Sequence, residues 1–509
     1  MSAVITSTSL IVGLEIHVEL ATRTRMFSRV ASMAAPGAPD PEPNTLIDPV
    51  VLGLPGALPV LNRHAIELSI RMGLALGCTI ATTTRWDRKG YFYPDLPKGY
   101  QISQYDQPLC GEGHFTIPLP DGTTHPIRII RAHLEEDAGK LLHELPGGIA
   151  IDHSIVDLNR AGTPLLEIVT APDFTSADQV EAFARLLRAT ARFLGVSEGV
   201  MQKGHMRFEP NINCELTLSD GRAVRTPVVE VKNLNSFKAV REAIEYELRE
   251  QPRRWQQDGL EMGAGMKSTR GWDDQRRATF LQREKEDAHD YRYFPDPDLL
   301  PVTIDPARVE DMKAELPELP HTRAARYHRD YGLGPREAEA LVEERAVCEY
   351  FEACTDAAAT TGLPPGEAGK AAANIVLQVG LRLANERGVL VSDLGATPAQ
   401  VAGIIALRHA GEVGSTAADT LFETLCESED TAAAAADRLG LRQVRDQGAL
   451  ASWVDAIIAD PAHAQAVADV RAGKMAAVGR LIGGVMALSA GQADARAVRE
   501  LLLAKLNSG

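Results

Sequence analysis

The texture of the chain changes once, near residue 300, and that change limits the fold more than any single motif does. Before it, short apolar and β-branched runs recur between turn residues: "SLIVGLEIHVEL", "PIRIIRAHL", "HSIVDL", "LLEIVTA" and "VVEVKNL". A few helical stretches intervene, among them "SADQVEAFARLLRATARFLG". From Pro301 onward the strand signal fades, and Ala, Leu, Glu and Arg dominate, as in "REAEALVEERAVCEYFEACTDAAA" and "DARAVRELLLAKL". The expected fold class is therefore α+β, a β-rich body followed by a mostly α-helical C-terminal region. Pro and Gly breaks at "TGLPPGEAGK", "LGATPAQ" and "AGEVGS" cut the helical part into small units. The expected division is residues 1–300, 301–405 and 406–509. "DGLEMGAGMK" reads as a flexible loop inside the body, and no internal repeat is visible.

With 509 residues, 45% hydrophobic and 24% charged, the chain can bury a large core. Its first residues, "MSAVITSTSLIVGLEI", carry no basic segment before the apolar stretch, and Glu15 and His17 interrupt that stretch too early for a membrane span. A cytoplasmic location with no membrane partner is expected. Six scattered cysteines without a CxxC pair argue against a disulfide framework and against a cysteine-built zinc site. A formal charge of −16 disfavours general nucleic-acid affinity, so any RNA contact must come from local basic patches or from shape.

In "GLEIHVEL" the alternation of an extended chain puts Leu14, Ile16 and Val18 on one face and Glu15, His17 and Glu19 on the other. Two readings fit: an edge strand whose polar face meets solvent, or a strand that binds a divalent cation through carboxylate oxygens and imidazole nitrogen. "HLEEDAGK" places three adjacent acids after a strand, which repel unless screened. "DLNRAGTPLLEIV" sets Glu167 among apolar residues, where an unpaired carboxylate is costly. A cation shared by His17, Glu167 and the acids at 135–137 satisfies all three anomalies. "RKGYFYPDLPKGYQISQYDQPL", residues 88–109, is too irregular for a helix and reads as a stiff, folded loop. Neither GxxxxGK nor GxGxxG after a strand occurs, so an ATP site would be unconventional. "GVSEG" has the form of a nucleophile elbow around Ser197, but a helix enters it where a strand is required.

"GLEIHVEL", "GLPGALPVLN", "RKGYFYPDLPKGYQISQYDQPL", "HLEEDAGK", "DLNRAGTPLLEIV", "EVKNLNSFKAVREAIEYE", "TRGWDD" and "DAHDYRYFPDPDL" follow in an order that resembles the B subunits of glutamyl/aspartyl-tRNA amidotransferases. The resemblance is dense through residue 300 and looser in the helical tail. It implies a heterotrimer in which an A subunit releases ammonia from glutamine and a C subunit clasps the other two. The B subunit would use ATP and Mg2+ to phosphorylate Glu-tRNA(Gln) or Asp-tRNA(Asn) and then aminate it, from a catalytic cradle at 1–300. By this likeness Glu15, His17, Glu135, Glu136 and Glu167 are metal ligands or their supports. Glu136 is favoured over Glu135 because the strand is expected to end at the acid run. His17, Glu136 and Lys98 are the expected catalytic residues. Tyr91, Tyr93 and Lys98 resemble the lining of the ammonia route. Lys232, Asn233, Asn235 and Ser236 offer donors for phosphate or the tRNA terminus, or alternatively a capped helix start.

Three departures from the family pattern carry information. Many relatives have four zinc-binding cysteines where this chain has Ser28, Val30, Asp48 and Val51, so no zinc is expected. "HMRFEPNIN" has Phe208, Glu209 and Pro210 where Cys-Asp-Ala is commoner. The tail segment "MALSAGQADA" lacks the usual lysines, so the expected contacts of the 406–509 tail with the tRNA elbow rest on shape, or on Arg471, Lys474 and Arg480. Two other functions fit part of the pattern: a non-catalytic tRNA-binding scaffold, which leaves the Glu and His cluster unexplained, and a stand-alone metal-dependent hydrolase, which leaves an RNA-binding tail unexplained.

Overall fold

The computed structural model describes the whole chain except residues 1–3, 38–40, 120–121, 146–148, 264–265, 285–290, 444–446, 490, 492 and 508–509. Residues 287–290 of the "DAHDYRYFPDPDL" stretch thus lie outside the described residues. The chain forms two compact units, Met1–Thr322 and Arg323–Gly509. The first is β-rich and the second helical, which is the α+β division read from the sequence.

The first unit is built on a sheet of nine described strands. The long strand Ile5–Glu19 lies in its middle, between Met206–Leu218 and Pro164–Thr170. Beyond Pro164–Thr170 come Thr124–Glu136 and Gly113–Pro118; beyond Met206–Leu218 come Val229–Lys232, Ser268–Asp273 and Ala278–Glu284. Pairing is antiparallel throughout except between Val229–Lys232 and Ser268–Asp273. Leu14, Ile16 and Val18 are completely buried beneath the helices Arg63–Ala75, Ala177–Phe193 and Phe237–Asp258. Each such side chain contributes about 1.5–3 kcal/mol, so a one-residue slip that moved them to the opposite face is strongly disfavoured. The helices start where short polar side chains cap them: Asn62 accepts from His64 and Ala65 amides, Ser176 from Gln179, and Ser236 from Ala239.

One expectation needs correction and another refinement. The segment 88–109 is not simply a loop, because Asp87–Gly90 and Tyr100–Ser103 pair as a hairpin, clamped by the Arg88 guanidinium 4.3 Å from the Tyr100 ring. The strand from Thr124 ends at Glu136, inside the acid run as expected, but it carries both Glu135 and Glu136 in strand conformation. Residue 300 lies between the body and the short strand Val302–Thr303, which pairs back onto Thr83–Thr84, and residue 405 falls inside the helix Pro398–His409.

The second unit packs short helices around small residues. Within it Leu450, Val454, Leu481, Val485, Val498 and Leu502 form a core of their own. Among the described residues no helix is long and apolar enough to cross a membrane. All six cysteines are unpaired, five of them buried.

Candidate functional site

The face of the sheet opposite the helices is polar, and strand register assembles it. His17 stands opposite Glu167 on one neighbouring strand and Arg207 on the other, Glu167 stands opposite His133, and Glu15 stands opposite Glu209. Residues directly opposite in antiparallel strands share a face, so these side chains form one patch. In Thr124–Glu136 a register shift between Ile129 and Arg131 reverses the alternation. Ile127 and Ile129 point into the core before it, Ala132 and Leu134 after it, and Arg131, His133 and Glu135 turn to the polar side.

His17 Nε2 lies 3.6 Å from Glu135 Oε1 and 3.6 Å from Glu167 Oε2, and His133 Nε2 lies 3.4 Å from Glu167 Oε2. One ligand atom each from His17, Glu135 and Glu167 falls within 4.8 Å of the others. Burial works against charge on His17, but the carboxylates of Glu167, Glu209 and Glu135 outweigh it and lift the imidazole to about 9. Burial, with Glu167 alongside, pushes the Glu135 carboxyl up to about 7. Burial also opposes ionisation of Glu167, yet His133, His17 and Lys89 overcome it and hold that carboxyl well below the usual range. Burial drives the His133 imidazole down to about 4, with the charges of Arg131, Lys89 and His17 adding to it against the pull of Glu167. Nδ1 of both histidines is buried without a hydrogen-bond partner, and such orphaned groups are costly unless a ligand completes them.

Glu135, not Glu136, faces this patch. Because the strand continues through both acids, Glu136 points the other way, where its carboxylate is ion-paired with Lys98 and accepts the Ile102 amide at 2.9 Å. The strand ends at Glu136, inside the acid run, so both acids keep its alternation and Glu135 is the one turned to the patch. Lys98 and Glu136 line a small recess with Arg25, Asp95, Asp137 and Gly162. Tyr91 is half-buried, edge-on to Tyr291 at 6.1 Å, while Tyr93 is exposed.

Beside the first cluster, Glu15, Glu209 and Glu230 form a second carboxylate group. Here a lysine already supplies the cation: Lys232 Nζ is 2.6 Å from Glu209 and 3.3 Å from Glu230. Asn211 donates to Glu15 at 3.0 Å. Asn233 turns the chain out of its strand with φ 66°, Asn233 and Asn235 are exposed, and Ser236 is committed to capping the following helix. On the other flank Arg207 holds Asp137 at 2.6 Å with Arg160 at 3.4 Å.

The positions of the missing cysteines are tied by hydrogen bonds. Ser28 Oγ donates to Asp48 Oδ2 at 2.6 Å, and the Val51 and Val30 amides donate to Asp48 and Ser28. Ser197 is buried after the helix Ala177–Phe193, accepting the Gly199 amide, and has no base beside it in hydrogen-bond range among the described contacts. In the second unit Arg471, Lys474 and Arg480 are exposed, with Lys474 3.0 Å from Asp469.

Sequence reasoning missed Lys89, His133 and the Glu209–Lys232 pair. Burial opposes charge on Lys89, but Glu135, Tyr293 and Glu167 stabilise it and raise its pKa. His133 could have been found by continuing the alternation of Glu135 backwards, whereas nothing local marks Lys89, which reaches the patch through its hairpin.

Residues 10–310 match the GatB/GatE catalytic domain family and residues 349–506 the GatB domain family. The chain is 42% identical over 495 residues to the aspartyl/glutamyl-tRNA(Asn/Gln) amidotransferase B subunit of Rhodopirellula baltica, covering 97% of this chain and 96% of that one. The protein of the same name from Thermomicrobium roseum is 42% identical over 97% of both chains, and that of Chlorobium chlorochromatii 41% over 98% of this chain and 99% of its own.

Proposed function

Because the chain belongs to the family of aspartyl/glutamyl-tRNA(Asn/Gln) amidotransferase B subunits, we propose that it activates the side-chain carboxylate of Glu-tRNA(Gln) or Asp-tRNA(Asn) with ATP and then aminates it. A carboxylate resists ammonia because oxide is too poor a leaving group. Transfer of the γ-phosphoryl group of ATP to a carboxylate oxygen releases ADP and gives an acyl phosphate. Ammonia attacks its carbonyl carbon, phosphate leaves, and loss of a proton yields Gln-tRNA(Gln) or Asn-tRNA(Asn). Phosphoryl transfer is catalysed chiefly by positioning and by charge neutralisation, which a patch of fixed charges can provide.

The observation that carries this reading is the His17, Glu135 and Glu167 constellation. Its carboxylate oxygens, with His17 Nε2 facing them, suit Mg2+, which takes few protein carboxylates and leaves positions for substrate oxygens. When bound there, Mg2+ would neutralise phosphate oxygens. Lys89, beside Glu135 and Glu167, is placed to hold an anionic group of the substrate at the patch, and Lys232 does the same from the flank. Lys98 and the loop bearing Tyr91 and Tyr93 form the route for ammonia. It must arrive neutral, since ammonium has no lone pair, and the Lys98 charge discourages a cation from entering. Ammonia would come from a partner A subunit, with a C subunit completing a cytoplasmic heterotrimer, and the helical tail would bind the tRNA.

The test is His17→Ala in the assembled enzyme. ADP release dependent on Glu-tRNA should be lost while glutamine hydrolysis, which belongs to another chain, persists. ATP-dependent amidation that survives the substitution refutes the assignment.

A further inference from the structure

The polar face continues past the carboxylates into a set of tyrosines. Tyr293 packs against Tyr291, whose ring carries the Lys89 ammonium of the patch, so the pair borders the reacting residues. The Tyr293 ring stacks on Tyr105, with centroids 4.3 Å apart and planes 11° from parallel. Tyr291 packs edge-on against Tyr293 and Tyr91, each at 6.1 Å, and the Lys89 ammonium lies 4.9 Å from the Tyr291 ring. Tyr105 remains 52% exposed although Tyr293 covers one of its faces.

The exposure is not that of a loose loop. The Tyr105 amide donates to the buried Asp87 carboxylate at 3.1 Å, and its carbonyl accepts from Arg131 Nη1 at 3.1 Å. The ring is therefore presented on a backbone held from both sides, by the Asp87 carboxylate and the Arg131 guanidinium, with Arg85 paired to the adjoining Asp106 at 2.7 Å. A rigid, half-exposed aromatic surface flanked by cations suits an unpaired nucleobase, whose flat face stacks and whose phosphate is anionic.

We infer that the Tyr105–Tyr293 stack is the platform on which the unpaired 3′-terminal base of the aminoacyl-tRNA rests, delivering the aminoacyl carboxylate on that same nucleotide to His17, Glu135 and Glu167. The inference rests on the substrate proposed above. Stacking needs the aromatic ring and not its hydroxyl, so Tyr105→Phe should behave as wild type. Tyr105→Ala should weaken tRNA binding about tenfold, within the range for loss of one base stack.

The experiment uses the full-length chain and tRNA carrying 2-aminopurine at its 3′-terminal position, whose fluorescence is quenched on stacking. Quenching is expected with the wild type and Tyr105→Phe and lost with Tyr105→Ala. Tyr293→Leu, on the other side of the stack, should reproduce the loss if Tyr105→Ala folds poorly. In the assembled enzyme the KM for aminoacyl-tRNA should rise in Tyr105→Ala while the KM for ATP stays unchanged. Undiminished quenching in Tyr105→Ala, or failure of Tyr105→Phe alongside it, overturns the inference. So does undiminished quenching with weakened subunit assembly, which would assign the rings to a protein interface. Quenching requires no ATP, so an enzyme that stacks the base but fails to amidate would refute the proposed reaction and leave the platform standing.

Discussion

Replacing Lys98 with alanine separates a packing role from a role in supplying ammonia. The Lys98 and Glu136 side chains are only 13% and 6% exposed, so the substitution strands a carboxylate in the interior. Breaking a buried pair in this way costs about 3–5 kcal/mol. The Ile102 amide, 2.9 Å away, still donates to Glu136, which places the expected loss at the lower end, about 3 kcal/mol. For a unit spanning Met1–Thr322 that lowers its melting transition by about 4–5 °C. Lys98→Ala combined with Glu136→Gln removes the stranded charge and should recover most of this loss. The assay is thermal unfolding of both variants, followed by amidation with glutamine and with free ammonia side by side. Lys98→Ala should impair the glutamine-driven reaction more, because free ammonia can reach the centre from solvent. If the double variant is no more stable than the single one, the pair does not act as described. Equal losses with the two nitrogen sources would remove Lys98 from the ammonia route.

Asp48→Ala frees Ser28 Oγ and the Val51 amide, and should cost about 1–3 kcal/mol of stability in calorimetry, while a zinc-selective chelator leaves the melting temperature of the parent unchanged. Deleting the residues after 443 removes the separate core at 450–506 without cutting the helix Pro398–His409, and should raise the KM for tRNA more than that for ATP, as measured by steady-state kinetics. Burial depresses the pKa of His321, so the folded protein resists a proton that the unfolded chain accepts below about 6.5. Stability is therefore lost as the pH falls through that value, and His321→Phe should flatten the decline in urea unfolding between pH 7.5 and 5.5.

Much of the molecule was legible along the chain because its information is local. The period of two in "GLEIHVEL" separates Leu14, Ile16 and Val18 from Glu15, His17 and Glu19, and burial of the apolar set leaves no alternative face for the others. The change of texture near residue 300 reports two kinds of core, and Ser176 and Ser236 mark helix starts by their ability to accept backbone amides. The hairpin at 87–103 was hidden because Pro and Tyr in its loop dominate a short, polar pair of strands.

The composition of the site was decided at longer range. A period of two predicts which residues share a face only while a strand is unbroken, and from Ile127 it would have sent Arg131, His133 and Glu135 into the core. The bulge between Ile129 and Arg131 reverses that phase, and it exists because the partner strand pairs Thr170 with Ile129 and Val169 with Arg131, leaving Ile130 over. The same register makes Glu135 a neighbour of His17 and gives Glu136 to Lys98. Sequence alone determined that this chain would carry a polar strand face with acids and imidazoles to spare. Only tertiary pairing, in which one extra residue turns a strand over, determined which of them meet.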